Sequence, residues 1–134
     1  MTLLTNATIL SAVQAALPDV TGVWVYGSYV HERMRVDSDV DIAVMLHGKT
    51  SALQIWEAAN EISLNIHRDV DLVDIRSVGT LLQFQIVTSG RRLLAFGNEP
   101  FTYEIFALKS MNELSALHAA QVADILQRGS VYGK

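Results

Sequence analysis

The residue types that could do chemistry are concentrated in one short stretch. Gly27-Ser28 is followed, after ten residues, by Asp39-Val40-Asp41, which runs directly into Ile42-Ala43-Val44-Met45-Leu46. On an extended chain successive side chains alternate between faces, so Asp39 and Asp41 share one face while Val40 and Ile42 take the other. Two carboxylates that close repel unless a cation lies between them. Hard oxygen ligands of this kind suit Mg2+, which accepts one or two protein carboxylates and fills its remaining positions with water and substrate phosphates. A glycine in the preceding turn lets backbone approach a phosphate closely, and the Ser28 hydroxyl can donate to a phosphate oxygen. The pattern points to metal-dependent chemistry on a nucleoside triphosphate.

A third acidic cluster follows in Arg68-Asp69-Val70-Asp71-Leu72-Val73-Asp74. Asp71 lies deeper in the apolar run than Asp69, and a buried carboxylate needs a reason such as a metal. Asp71 is therefore the expected third ligand and candidate base, with Asp69 and Asp74 read as solvent-facing charges. His31, His47, His67 and His118 show no ligand spacing, which disfavours zinc. Arg91-Arg92 reads as an edge-strand charge pair.

These residues need strands and helices to position them. Leu3 to Leu17 has apolar residues at helical spacing, with Asn6 as the expected cap and Pro18 as the stop. Val20 to Tyr26 is a β-branched and aromatic run that ends in the Gly27-Ser28 turn, and Val40 to Leu46 is its expected partner strand. Thr50 to Ile66 reads as a half-buried helix capped by Thr50 or Ser51, with Trp24 and Trp56 both expected in the core. Val70 to Ile75 predicts a third strand, Leu81 to Val87 a short helix, and Arg92 to Phe96 an edge strand before the Gly97-Asn98 turn. Phe101 to Leu126 carries a long apolar stripe, introduced by Asn98 and Pro100. Alternating strands and helices predict an α/β or α+β architecture, one sheet with helices packed on it.

Bulk properties bound the possibilities. With 134 residues, 50% of them hydrophobic and 18% charged, the chain has the size and composition of one compact domain spanning 1–134. A core over about 20–96 and a C-terminal helix over about 99–128 are its expected parts. The net charge of −4 argues against a nucleic-acid binder. The absence of cysteine removes disulfides and thiolate zinc sites and fits a reducing cytoplasm. No signal peptide or membrane span is expected.

Gly27-Ser28, Asp39-Val40-Asp41 and Val70-Asp71-Leu72-Val73 resemble the nucleotidyltransferase superfamily that includes DNA polymerase beta, and most closely its minimal nucleotidyltransferase branch, often encoded beside a HEPN-type ribonuclease toxin. The similarity covers roughly Gly22 to Leu94. It implies a short mixed sheet flanked by helices, metal binding by Asp39, Asp41 and Asp71 with two Mg2+ ions, and a triphosphate held at Gly27 and Ser28. It further implies transfer of AMP from ATP to a tyrosine of a HEPN-type toxin, with pyrophosphate leaving. Arg35 and Asp37-Ser38-Asp39 match the family's pattern, whereas Val30-His31-Glu32 stands where relatives commonly have Ala-Arg-Gly. That departure keeps open a second reading, a nucleotide-binding module that neutralises the toxin by occlusion. Transfer to a small molecule such as an aminoglycoside would usually need a further substrate domain.

Overall fold

The computed structural model describes residues 4–27 and 39–127. In chain order its elements are α1 (Asn6–Ala16), β1 (Val20–Tyr26), β2 (Val40–Leu46), α2 (Ala52–Ile66), β3 (Val70–Asp74), α3 (Thr80–Ser89), β4 (Arg91–Ala95) and α4 (Glu99–Gln127). The strands form a mixed sheet in the order β3-β2-β1-β4. β1 is antiparallel to both β2 and β4, and β2 is parallel to β3 through the α2 crossover.

Helices cover both faces of the sheet. Val23 and Val25 of β1 and Ile42 and Val44 of β2 pack with Ile9 and Val13 of α1 and Ile62 and Ile66 of α2. Trp24, Ala43 and Met45 face the other way and pack with Ile75 and with Ile86 of α3. Burial on two sides explains why the central strands read as nearly unbroken apolar runs instead of alternating ones.

The ends of the helices follow local chemistry. Thr5, not Asn6, caps α1: its side chain accepts a hydrogen bond from the Thr8 amide at 3.1 Å. The neighbouring Asn6 falls inside the first turn, where its side chain cannot reach the same amide as a cap. Ser51 caps α2 in the same way through the Gln54 amide at 3.1 Å. Trp56 departs from its expected place in the core and is 64% exposed. The inward stripe of α2 runs through Ile55, Ala58, Ala59, Ile62 and Ile66, and Trp56 lies one residue, about 100° of helix rotation, off Ile55. Trp24, by contrast, is buried.

The first half of α4 is fixed by polar contacts. Glu104 accepts from Trp24 Nε1 at 2.9 Å and from Arg92 Nη1 at 2.6 Å, joining the helix to β1 and β4. Arg92 also stacks over the Phe101 ring, 4.5 Å from its centroid. Gln83 of α3 places Nε2 near Tyr103 Oη at 2.8 Å and near the carbonyls of Val78 and Ile75 at 2.9 and 3.1 Å. These contacts lock α3 and α4 together on the Trp24 face.

Candidate active site

The site lies at the end of the sheet where β1 finishes and β2 and β3 begin. Strand register creates it: Tyr26 pairs with Asp41, and Asp41 pairs with Asp71. Cross-strand partners in register share a face, so three polar side chains stand in a row across β1, β2 and β3. Asp39 immediately precedes β2. Two aspartates far apart in sequence are thus brought side by side by parallel pairing.

Gly27 follows Tyr26 with φ of 71°, in the left-handed region that favours glycine. A Cβ at this position would collide with Asp41 Oδ2. Glycine is therefore required twice, by its backbone conformation and by the carboxylate that leans over it. Ser28, together with Val30, His31, Glu32, Arg35 and Asp37, lies outside the described residues.

Electrostatics at this end of the sheet are those of crowded negative charge. Burial, then Asp71 and then Asp39, push the Asp41 carboxyl above its ordinary value. Burial raises the Tyr26 phenol to about 12, helped by Asp71 and then Asp41, which keeps the phenol neutral at physiological pH. A cation relieves the negative charge crowded around Asp41. The donor set is all hard oxygen, which fits Mg2+.

One expectation is corrected. Asp71 is exposed, not buried. Its strand is at an edge of the sheet, because the order β3-β2-β1-β4 leaves β3 with a neighbour on one side only. Among the described residues, no three His, Asp or Glu side chains converge into a set that could hold a metal unaided. Mg2+ commonly completes its shell with substrate phosphates and water, so an open carboxylate set suits it better than a closed protein cage.

Other charged candidates fall elsewhere. Asp69 is exposed just before β3, and its carbonyl accepts from the Val40 amide at 2.9 Å. Asp74 accepts from the Arg76 amide at 3.0 Å and closes the turn after β3. Arg91 pairs with Val25 near the site end of the sheet, but Arg92 is committed to Glu104. Tyr26 is the residue of the row that the spacing of glycine and aspartates did not reveal. Its signal was available in the alternation that puts it on the Asp41 face, once β1 and β2 are paired.

Comparison with known proteins agrees with this geometry. The family model described as "Polymerase beta, Nucleotidyltransferase" matches residues 8–96. The protein adenylyltransferase MntA of Shewanella oneidensis is 32% identical over 117 residues, which cover 87% of this chain and 82% of that protein. A toxin-antitoxin crystal structure with AMP-PNP is similar with a TM-score of 0.78 at 28% identity, covering 92% of this chain and 99% of the other. A structure of a tri-AMPylated Shewanella oneidensis HEPN toxin in complex with MNT antitoxin gives 0.70 at 26% identity, covering 90% of this chain and 95% of the other. Four strands in a mixed sheet, the paired aspartates beside a left-handed glycine and these matches agree: the chain belongs to the polymerase beta nucleotidyltransferase family.

Proposed function

We propose that this chain is an antitoxin that works as a protein adenylyltransferase, moving AMP from ATP to a tyrosine hydroxyl of a HEPN-type toxin and releasing pyrophosphate. The observation that carries the reading is the register that sets Asp41 beside Asp71, next to the left-handed turn at Gly27. The adenylyltransferase relative, the neighbour with AMP-PNP and the neighbour with a tri-AMPylated toxin support the same substrate and partner class.

Each residue has a role that its position permits. Asp39, Asp41 and Asp71 would hold two Mg2+ ions, which supply charge neutralisation at the phosphate oxygens. Gly27 admits the triphosphate close to backbone, and Ser28 donates a hydroxyl to it. Asp71 receives the phenolic proton of the acceptor. The acceptor oxygen bonds to the α-phosphorus while the bond from that phosphorus to the oxygen bridging to the β-phosphate breaks, and pyrophosphate carries that oxygen away. The exposure of Asp71 on an edge strand leaves room for an acceptor presented by a whole protein. Among the described residues no helix is long and apolar enough to cross a membrane, and the cysteine-free composition suits a cytoplasmic setting.

Intact-mass measurement of the toxin partner tests this reading. Incubation with the wild type and Mg-ATP is expected to add one or more AMP groups, and incubation with the Asp39→Asn/Asp41→Asn variant to add none. If both proteins leave the toxin unmodified and neutralise it equally, the chain acts by occlusion, the reading that Val30-His31-Glu32 keeps open.

A further inference from the structure

Arg91 and Arg92 are neighbours in sequence with different commitments. Arg92 pairs with Glu104 and stacks on Phe101, so its charge serves the packing of α4. Arg91 is exposed and makes no ion pair with another described residue. It opens β4 and pairs with Val25, two residues before Gly27. The junction that delivers it is tight: a Cβ on Gly90 would collide with the carbonyl oxygens of Val25 and Ile86, so α3 and β4 meet flush against β1. The backbone of Arg91 is thereby fixed beside the strand that ends in the Gly27 turn.

Across the site end of the sheet, in the order β3-β2-β1-β4, stand Asp71, Asp41, Gly27 and Arg91. Charge therefore changes sign along that end, from carboxylates through a glycine to a guanidinium. A triphosphate that meets its metal ions at the carboxylates and backbone at Gly27 runs on towards β4. Arg91 is about 7 Å from Gly27 along the strand direction and about 5 Å across it, a gap that an arginine stem and a phosphate close together. Val25 lies on the opposite pleat from Tyr26. Arg91, however, is the terminal residue of an edge strand, where no further rung stands between its stem and the end of the sheet. From this placement we infer that Arg91 binds the β- and γ-phosphates, the part of the nucleotide that leaves as pyrophosphate, and offsets the charge that develops there. The inference rests on the nucleotidyltransferase reading of the site.

The test is calorimetric titration of the full chain, with Mg2+ present, by two probes: an ATP analogue carrying a methylene bridge between the α and β phosphorus atoms, and inorganic tripolyphosphate, which has the phosphates and no nucleoside. Arg91→Gln is expected to weaken both by about 10- to 100-fold, the loss of charge-assisted hydrogen bonds to phosphate, with the ligand-free Tm unchanged. Arg91→Lys keeps the charge without the planar fork and is expected to recover part of the affinity. Wild-type affinity for the analogue in Arg91→Gln, an equal loss in Arg91→Lys, a lowered Tm, or tripolyphosphate binding that is absent or unaffected each overturns the inference while leaving the nucleotidyltransferase reading intact. A wild type that does not bind the ATP analogue overturns both.

Discussion

Asp41 shows how a residue proposed to hold a metal works against the stability of its own fold. Burial and two neighbouring carboxylates raise its pKa in the folded state. The native chain then binds more protons than the unfolded chain between the unfolded value near 3.8 and the folded one. Stability contributed by the protonated form is lost as pH rises through that window and is fully absent above it. Asp41→Asn is accordingly expected to raise Tm relative to wild type at neutral pH while abolishing AMP transfer. Thermal melts from neutral pH to about pH 3 should show this advantage shrinking towards zero on the acid side. An advantage that grows on acidification would contradict the like-charge account. Part of the candidate site was legible in the sequence, because alternation within a strand predicts a shared facing for residues two apart without knowledge of the fold. The exposure of Asp71 was not legible: apolar neighbours along a strand report burial of the neighbours' faces, not whether the strand has a partner on both edges.

At the level of elements, the pair α3 and α4 depends on one amide. Gln83 is buried and serves the carbonyls of Ile75 and Val78 and the Tyr103 hydroxyl, holding the turn after β3 against both helices. Gln83→Leu retains the volume but leaves those carbonyls without their donor, and is expected to cost about 1–3 kcal/mol in urea unfolding. A neutral outcome would mean that water or a shifted side chain replaces the amide. The sequence announces the strands and helices well because their apolar periods are strong. It hides the contacts between them: Glu104, which ties Trp24 to Arg92, looks like any helical glutamate until the crossing of α4 over β1 and β4 is known. Trp56 fails for a related reason, since adjacent apolar residues at Ile55 and Trp56 cannot both face the sheet, and residue type does not decide which one does.

At the scale of the whole molecule, the buried residues of α4 lie in its first half. Its 29 residues span about 43 Å, yet Pro100 and Ala107 are its buried residues. Leu114, Leu117, Val122, Ile125 and Leu126 lie in the exposed second half. Removing residues 113–134 is therefore expected to leave the chain folded, at a cost of no more than about 0.5 kcal/mol beyond that of an ordinary surface change. Truncating a residue of the helix-sheet contact, Ile86→Ala, is expected to cost about 2–5 kcal/mol. Denaturant midpoints of the two variants give the comparison directly, and equal losses would show that the second half of α4 is part of the cooperative unit. This apolar stripe was visible in the sequence as a helix, but a stripe does not say how much of it finds a core.

The parallel pairing of β2 with β3 also sets an order in time. Gly27, Asp39 and Asp41 emerge from synthesis together, whereas Asp71 follows only after all of α2, and it can join them only when that helix has folded back over the sheet. A ribosome-bound chain halted before β3 holds Gly27, Asp39 and Asp41 but not Asp71, the proposed proton acceptor. On the proposed roles of these residues, an unfinished copy is expected to modify nothing it meets until the crossover is complete.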